Sequence, residues 1–488
     1  MDTLQPGLFD AELAMAGPNE AGCAGMTAED KRRQGITLTP EWLVDLMLRQ
    51  VAMAGPFDTL VDPGAGTGRF CIAAARYFPA ARIVAVESSP AMAAALHRRL
   101  AAEGLAHRVQ VVEQDFREAA LGLTGRTAFV GNPPYVRHHD LGAHWKQWYA
   151  QTMARLGQPA SQLAGLHLHF LARVAELARP GDHLCFVTSA EWLDNGYGSA
   201  WRRLLGAAGA QLQLRGLWVA DPQTAVFPDA LVSAVVMEAA CAPKAEGVRL
   251  GVLEIGALQS VRSLPLAALS QATRWTPLCQ PALSLPSTGI ELGELFRITR
   301  GQVTGLNSAW VLPLGSDALP AALTLPVVTR AREIIDGTIE ADDALLRLRR
   351  VPNLPGDLSL LSASVRARLD AFLAVARAKG AADAYVARQR RAWYALDLRA
   401  PPVAMVSYMG RRPPVFRANP HSVSFLNIAH GLYARQPLAP QSLRALLDFL
   451  NSNTEMRAGR LYGGGMAKFE PSDIARLRVP PAALAPKA

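Results

Sequence analysis

Short apolar runs alternate with longer stretches rich in Ala and Leu between residues 55 and 240. The short runs have the length and β-branched content of buried strands, and the longer stretches have the length of helices that cross from one strand to the next. This alternation predicts an α/β fold with a doubly wound, mostly parallel sheet and helices on both faces. The predicted strands are residues 59–63, 82–87, 108–113, 128–130 and 183–188, and the predicted helices are residues 69–77, 90–104, 163–178 and 199–208.

Two further apolar runs, residues 212–219 and 231–239, are joined by a segment with no room for a helix. Parallel neighbours need a crossover of a dozen or more residues, whereas antiparallel neighbours do not. The pair therefore predicts an antiparallel strand at the edge of the sheet.

The regular alternation ends near residue 245. Residues 246–290 are rich in Pro, Ser and Leu without a clear period, which is typical of a connector. From residue 291 onward short apolar runs, frequent Pro and Gly and a few helical stretches, such as 362–379 and 441–452, predict a separate domain of mixed α and β structure. We therefore expect a disordered N-terminus at 1–26, a first domain at 27–245, a connector at 246–290 and a second domain at 291–488.

Composition narrows the class of protein. Of the 488 residues, 50% are hydrophobic and 19% are charged, which excludes a disordered or fibrous chain. No apolar run approaches the roughly 18 residues of a membrane span, and the first 25 residues lack the basic start of a signal peptide. We therefore expect a cytoplasmic protein without a membrane partner. The five cysteines are far apart and form no C-x-x-C pair, so we expect neither disulfides nor a metal site.

The net charge of +9 is concentrated in the second domain. Residues 291–488 hold 26 Lys and Arg against 16 Asp and Glu, a balance of +10, while residues 1–290 hold 24 against 25, a balance of −1. A field of one sign favours a polyanionic partner, because phosphate contacts release counterions. The alternative is an Arg-rich, solvated surface. In the densest stretch, residues 388–417, arginines are interleaved with aromatic residues, which suits nucleic acid; the aromatic residues are Trp393, Tyr394, Tyr408 and Phe416.

Polar residues follow three successive predicted strands. A glycine-rich loop, DPGAGTGRF at residues 62–70, follows the first, but it matches neither the dinucleotide fingerprint nor a P-loop. Glu87 ends the second strand, where a carboxylate can accept hydrogen bonds from ribose hydroxyls. Asp115 follows the third strand, where it can accept from an adenine amine while Phe116 packs on the base. The predicted cofactor residues are Asp62, Gly64, Ala65, Gly66, Gly68, Glu87, Ser88, Asp115, Phe116 and Asn132.

The fourth strand is followed by Asn132-Pro133-Pro134-Tyr135. Together with the glycine-rich loop, this motif resembles the TaqI-like, gamma-class DNA adenine-N6 methyltransferases, and the resemblance covers nearly the whole chain. It implies a Rossmann-like class I methyltransferase sheet, S-adenosylmethionine as cofactor, double-stranded DNA as partner and a C-terminal target-recognition domain. The resemblance also implies that residues 34–40, with Thr39 and Pro40, fold over the methionine end of the cofactor, and that Phe227 lies in a late motif at 226–236.

The chemistry of amine methylation accounts for the loop. The adenine amine is a poor nucleophile because its lone pair is delocalised into the ring. The side-chain oxygen of Asn132 and the carbonyl of Pro133 can accept its two N–H bonds, and Pro133 and Pro134 stiffen these acceptors. An amine inside a duplex is out of reach, so the base must be flipped out. Tyr135 would stack on one face of the flipped base and, by resemblance, Phe227 would contact its other face or its edge; the alternative for Phe227 is a buried core position.

Several alternatives remain open at this point. The motif also occurs in methyltransferases that act on a release-factor glutamine or on RNA bases, and a catalytically inactive DNA-binding protein is a further reading. His167 and His169 are two residues apart on a predicted helix, so they cannot share a metal ion. A separate restriction endonuclease and a monomeric or homodimeric state are compatible with the chain.

The predicted DNA contacts, each of which could equally be surface residues, are Arg300, Thr304, Asn307, Arg388, Arg391, Arg411, Arg412 and Lys468.

Overall fold

The computed structural model describes residues 37–207, 211–221, 226–227, 233–241, 247–280, 288–355, 357–359, 361–462 and 465–485. The predicted disordered segment 1–26 lies outside these residues. The chain divides into two units, one of Met1–Pro281 with Tyr462–Gly465 and the other of Ala282–Leu461 with Met466–Ala488. Each unit is described by itself below.

The frame of the first unit is a nine-stranded sheet. Its strands are β1 (Thr59–Pro63), β2 (Arg82–Val86), β3 (Val109–Val112), β4 (Thr127–Gly131), β5 (His183–Ser189), β6 (Gln213–Ala220), β7 (Ala234–Ala240), β8 (Val248–Glu254) and β9 (Ala257–Leu264). They lie in the order β3-β2-β1-β4-β5-β7-β6-β8-β9. The first five strands are mutually parallel, and β7 runs antiparallel to both of its neighbours. The predicted α/β class and mostly parallel sheet are confirmed.

The sheet extends further than the hydrophobic pattern predicts. The prediction of a connector at residues 246–290 is wrong for residues 248–264, which form β8 and β9. The antiparallel pairing of β6 and β7 agrees with the prediction, but the pair lies inside the sheet because β8 pairs with β6 and β9 pairs with β8. The side chains of the terminal strand β9 are half-buried or exposed. A strand that buries no face carries no apolar alternation, so the hydrophobic pattern does not predict β9.

Helices cover both faces of this sheet and create two separate cores. In β1, Leu60 packs in the core that includes Leu43 and Phe70, while the next residue, Val61, packs in the core that includes Leu171. This division follows from the period of two along a strand, which points successive side chains to opposite faces. The helices of the unit are α1 (Glu41–Met53), α2 (Arg69–Tyr77), α3 (Pro90–Ala102), α4 (Ala143–Arg155), α5 (Leu166–Leu177), α6 (Ser199–Gly206) and α7 (Leu266–Gln271).

Gly68 precedes α2 at a position that no other residue suits. Its φ of 87° is left-handed, and a Cβ there would lie 2.4 Å from the Cδ1 of Leu96 on α3. The glycine therefore allows α2 to begin close against α3, directly after the loop that follows β1.

The second unit is built from several small sheets. A four-stranded sheet has the order β11-β18-β14-β16, two three-stranded sheets have the orders β13-β12-β17 and β15-β20-β19, and β10 pairs with β21. These strands are β10 (Ile290–Glu291), β11 (Phe296–Arg300), β12 (Thr324–Val328), β13 (Arg350–Pro352), β14 (Ala404–Ser407), β15 (Met409–Gly410), β16 (Phe416–Ala418), β17 (Ser424–Phe425), β18 (Ala429–Ala434), β19 (Arg460–Tyr462), β20 (Met466–Lys468) and β21 (Arg478–Val479).

The longer helices of the second unit support these sheets. Leu446, Leu447 and Leu450 of one helix pack in a core with Phe296 and Phe416 of the four-stranded sheet. The predicted mixture of α and β structure is confirmed for this unit. Its helices are α8 (Leu292–Leu295), α9 (Asn307–Trp310), α10 (Arg332–Ile335), α11 (Ala344–Arg347), α12 (Ala363–Ala378), α13 (Tyr385–Arg388), α14 (Pro440–Asn453) and α15 (Pro471–Ala475). In the described parts of the chain, every helix is too short or too polar to cross a bilayer.

Candidate active site

A cavity of about 260 Å³ lies at the carboxyl ends of β1 to β4. Doubly wound sheets bind ligands at this edge, because the loops there converge from several strands. Most of the predicted cofactor residues line the cavity, namely Thr39, Gly64, Ala65, Gly66, Glu87, Ser88, Asp115, Phe116 and Asn132.

Glu87 ties the glycine-rich loop to the end of β2. Its carboxylate accepts hydrogen bonds from the backbone N–H of Gly66 at 2.8 Å and from that of Ser89 at 2.7 Å. The backbone N–H groups of Gly64 and Ala65 donate in turn to the carbonyl of Val86. Burial raises the pKa of Glu87, while its backbone donors oppose that shift. The carboxylate keeps further acceptor capacity in the cavity wall, since each oxygen has two lone pairs.

Asp62 lies behind the cavity and supports the loop. One carboxylate oxygen accepts from the backbone N–H of Cys71 at 3.2 Å, and burial raises the pKa of Asp62 to about 8. A Cβ at Gly131 would lie 3.0 Å from its other oxygen, so this glycine leaves room for the carboxylate. Pro40 precedes α1, and its carbonyl accepts the first helical hydrogen bonds. The structure thus places Asp62, Pro40 and Gly68 outside the cavity wall, as supports of the loops that form it.

Asp115 lines the cavity together with a partner that sequence reasoning missed. Arg117 donates to the Asp115 carboxylate from Nε at 2.9 Å and from Nη2 at 2.6 Å. The backbone N–H of Arg117 also donates to Asp115, which is the turn that an Asp two residues ahead typically forms. That spacing was the available signal. Phe116 is buried, and its ring centroid lies 5.2 Å from that of Phe170.

Some cavity residues come from segments without any motif. Leu166 and Phe170 lie on α5, and Met92 lies on α3. Their apolar character is that of ordinary helix positions facing a sheet, so only the folded chain shows that they border a cavity. Thr37 and Leu38, which also line the cavity, belong to the segment 34–40 that the resemblance places over the cofactor. The other lining residues not predicted as cofactor contacts are Thr67, Arg69, Phe70, Val86, Ser89, Gln114 and Pro134.

Asn132 presents its side-chain oxygen in a fixed orientation. Its Nδ2 donates to the backbone carbonyl of Thr37 at 3.0 Å, and a carbonyl can only accept, which determines the direction of the amide. Its Oδ1 is buried and has no hydrogen-bond partner among the described residues. Pro133 is buried and Pro134 lines the cavity, so the loop carries two rigid residues directly after this amide.

Tyr135 packs against two other rings. It makes edge-to-face contacts with Phe227 at 6.0 Å and with His167 at 6.3 Å between centroids, and burial raises the pKa of its hydroxyl. Phe227 is only 2% exposed. Phe227 thus lies in the core with its ring against Tyr135, which is the buried position given above as the alternative for it. Pro228 and Val232 of the same predicted motif lie outside the described residues.

The two histidines of α5 belong to the core. Burial lowers the pKa of His167 to about 4 and that of His169 to about 3, so both rings are neutral near pH 7. The ring of His169 stacks on Tyr149 at 4.4 Å. No group of three or more His, Cys, Asp or Glu side chains that could bind a metal ion is found in the described part of the chain.

The predicted DNA contacts of the second unit fall into two groups. Arg300 and Lys468 both pair with Glu470, and Thr304 is buried with its hydroxyl donating to Asn307 at 2.6 Å. Partial burial would raise the pKa of Glu470, but Lys468 and Arg300 outweigh it and hold that pKa below its ordinary value. The remaining predicted contacts are exposed, namely Arg388, Arg391, Arg411 and Arg412.

Within the arginine-rich stretch 388–417, Trp393, Phe416 and Arg390 contact other parts of the second unit. Trp393 packs against Trp310 with 5.8 Å between centroids, and Phe416 is fully buried. Arg390 donates to the carbonyls of Val303 and Thr304, each at 3.0 Å. Arginines and aromatics that stabilise a core have the same local sequence as those that bind nucleic acid, so the pattern alone could not separate them.

Comparison with known proteins identifies the family. Residues 60–150 match a methyltransferase domain, residues 113–209 match the Eco57I restriction-modification methylase, and residues 286–488 match the C-terminal domain of the type II methyltransferase M.Eco57I. The type II methyltransferase M.XamI of Xanthomonas campestris pv. amaranthicola is 42% identical over 453 residues, which cover 92% of this chain and 85% of that protein. The chain belongs to the type II methyltransferase family.

Two further matches show how far the similarity extends. The release factor glutamine methyltransferase of Moorella thermoacetica is 37% identical, but over only 78 residues, 16% of this chain and 27% of that protein. The solved structure of the type IIL restriction-modification enzyme MmeI in complex with DNA has a TM-score of 0.57 and 12% identity, and covers 95% of this chain and 69% of that one. The latter likeness shows a shared fold.

The cofactor of this type II methyltransferase is S-adenosylmethionine, and the cavity fits it. Glu87 and Asp115 supply acceptors for hydroxyl and amine donors, while Phe116 and Phe170 supply an apolar wall for a purine. Asn132 lines the same cavity, and its buried Oδ1 has no hydrogen-bond partner among the described residues.

Proposed function

We propose that this type II methyltransferase is a site-specific enzyme that methylates the N6 amine of adenine in double-stranded DNA. The observation that carries the proposal is the orientation of Asn132. Its amide nitrogen is engaged by the Thr37 carbonyl, so its oxygen is presented as an acceptor beside the cofactor cavity.

An acceptor is the group that an exocyclic amine needs. Asn132 Oδ1 and the Pro133 carbonyl would hold the two N–H bonds of the amine and turn its lone pair toward the cofactor. S-adenosylmethionine supplies an electrophilic methyl group on a positively charged sulfur. Since the leaving thioether is neutral, the main task of the protein is to position the amine, and no general base is needed before transfer.

The proposal includes base flipping, because the amine of a paired adenine cannot reach a cavity in the protein. Tyr135 follows the two prolines and would stack on the flipped base. Phe227 and His167 hold the Tyr135 ring in place by edge-to-face contacts. Phe227 therefore acts on the base through Tyr135.

The second unit is proposed to be the target-recognition domain, and the first the catalytic domain. Residues 291–488 carry a balance of +10, and Arg388, Arg391, Arg411 and Arg412 are exposed. The match of residues 286–488 to the C-terminal domain of a type II methyltransferase supports this assignment.

The test is to identify the methylated product. Purified protein should be incubated with labelled S-adenosylmethionine and duplex DNA of mixed sequence, and the DNA digested to nucleosides for chromatography and mass spectrometry. We expect N6-methyladenine, confined to one sequence context when the DNA is sequenced. Label found only as N4-methylcytosine, or no label in DNA at all, would refute the proposal.

A second candidate is methylation of a protein glutamine, favoured by short likenesses to release factor glutamine methyltransferases, such as the match over 78 residues. A glutamine amide is also a planar nitrogen with two N–H bonds, so the same acceptors would serve. That candidate leaves the basic second unit without a role. Release factor should be offered under the conditions of the DNA assay, and we expect no label in its glutamine.

A further inference from the structure

Arg117 is a buried arginine at the carboxyl end of β3 for which the proposed chemistry has no use. Its side chain is 5% exposed. Nε and Nη2 form a bidentate pair with the two carboxylate oxygens of Asp115, and the backbone N–H donates to the same carboxylate. Both oxygens are therefore held in one orientation, while the Asp115 side chain stays 25% exposed and lines the cavity.

A ring from another segment holds the guanidinium in turn. The Cζ of Arg117 lies 3.3 Å from the ring centroid of Trp145 on α4, the helix that follows the Asn132–Tyr135 loop. Stacking on an indole face stabilises an arginine and restricts it to one plane. The Nη1 of Arg117 is buried without a hydrogen-bond partner in the described part of the chain, so the Asp115 pair and the Trp145 ring hold this group.

A fixed carboxylate can discriminate between purines. Both of its oxygens are acceptors only, so it stabilises a purine with an amine at C6 and repels one with a carbonyl at C6. A carboxylate free to rotate would turn away from the carbonyl and lose most of this discrimination. The bidentate pair prevents that rotation, because turning Asp115 would break two charge-assisted hydrogen bonds in a buried place.

We propose that Arg117 is a positioning residue that makes the cofactor site specific for a 6-aminopurine, by fixing Asp115 as an acceptor for the exocyclic amine. Trp145 contributes by holding the guanidinium plane. The inference rests on the cofactor site assigned above, and it concerns the purine of the cofactor rather than the base in DNA.

The test compares S-adenosylhomocysteine with S-inosylhomocysteine, whose purine has a carbonyl at C6 and a proton on N1, by calorimetry on the full-length protein. The wild type should prefer the adenosyl ligand by roughly tenfold to a hundredfold, the effect of one unsatisfied buried hydrogen bond. The preference should fall to about threefold or less in Arg117→Met and be partly restored in Arg117→Lys. Arg155→Lys is the matched control, since Arg155 lies on α4 and pairs through Nε with Glu176 at 2.7 Å; its preference should be unchanged.

The ratio of the two affinities separates specificity from mere structural support. If the Arg117 variants lose affinity for both ligands equally, or if the wild type shows no preference, the inference is overturned. Trp145→Ala keeps the ion pair and provides a second test should the Arg117 variants not fold; it should lower the preference severalfold, and an unchanged preference contradicts the role of the ring. A wild type that prefers the adenosyl ligand but yields no N6-methyladenine would overturn the proposed DNA substrate and leave the role of Arg117 supported.

Discussion

The carboxyl edge of the sheet in the first unit and the arginine-rich stretch in the second both stand out in the sequence. In the structure the residues of the sheet edge come together, whereas neighbouring arginines of the stretch have different environments. Glu87, Asp115 and Asn132 come from three separate segments and line one cavity. Arg388, Arg390 and Arg391 are neighbours in sequence, yet Arg390 donates to the backbone carbonyls of Val303 and Thr304 while the other two are exposed. Sheet topology determines where strand-end residues meet, whereas a run of arginines has no such constraint.

The prediction with the largest expected effect concerns Asn132, one of the residues that meet at the carboxyl edge of the sheet. Asn132→Ala removes the side-chain acceptor and should lower the rate of methyl transfer by about 10²–10³-fold, the effect of deleting one preorganised hydrogen-bond partner in an active site. Affinity for S-adenosylhomocysteine should change by about threefold or less. Single-turnover kinetics and calorimetry measure the two quantities.

A matched variant shows which half of the amide matters. Asn132→Asp keeps an acceptor but loses the donor to the Thr37 carbonyl and places a charge near it. It should retain more activity than Asn132→Ala only if the oxygen is the functional atom. Near-normal turnover in Asn132→Ala would contradict the proposed role.

The next prediction separates Tyr135 from Phe227. Tyr135→Ala should weaken the flipped state by about 1–3 kcal/mol, the value of stacking one base on an aromatic ring, while Tyr135→Phe should keep it. The fluorescence of 2-aminopurine at the target position reports the flipped state. Phe227→Leu should lower the free energy of unfolding, by about 1 kcal/mol, with a smaller effect on fluorescence. A larger fluorescence loss in Phe227→Leu than in Tyr135→Ala would reverse these assignments.

The next prediction compares the three neighbouring arginines of the second unit, Arg388, Arg390 and Arg391. Arg388→Ala and Arg391→Ala should each weaken DNA binding severalfold and reduce the salt dependence of affinity by about one phosphate contact, without changing Tm. Arg390→Ala leaves three carbonyls without a charged donor and should instead lower stability by about 1–3 kcal/mol. Binding titrations at several salt concentrations and thermal unfolding distinguish the two outcomes. Equal effects of all three substitutions on the salt slope would show that exposure does not predict DNA contact.

The last prediction concerns the pH dependence of stability. Burial raises the pKa of Asp62 to about 8, above its unfolded value of about 3.9, so the folded state holds a proton that the unfolded state releases between these values. Asp62 therefore contributes a loss of stability as pH rises from about 4 to 8. Asp62→Asn should flatten this decline. An identical decline in both proteins would show that other groups cause it.

The sequence predicted the parallel core of the sheet and most of the cavity wall because both depend on short-range signals. Buried strands show as apolar runs, and glycine or acidic residues mark the turns that follow them. Strand β9 could not be predicted, since its side chains are half-buried or exposed and lack an apolar period. Arg117 escaped notice because a buried arginine and a surface arginine look alike in sequence. Phe170 lies on a helix and belongs to no motif, so only the structure shows that it packs beside Phe116.

The hydrogen bond from Asn132 to Thr37 joins positions 95 residues apart. The acceptor is a backbone oxygen, so no exchange of side chain at position 37 removes it. The chain ahead of the first helix must nevertheless be intact. A protein trimmed at that point would keep the glycine-rich loop and the Asn132–Tyr135 motif, but the amide of its asparagine would be free to rotate.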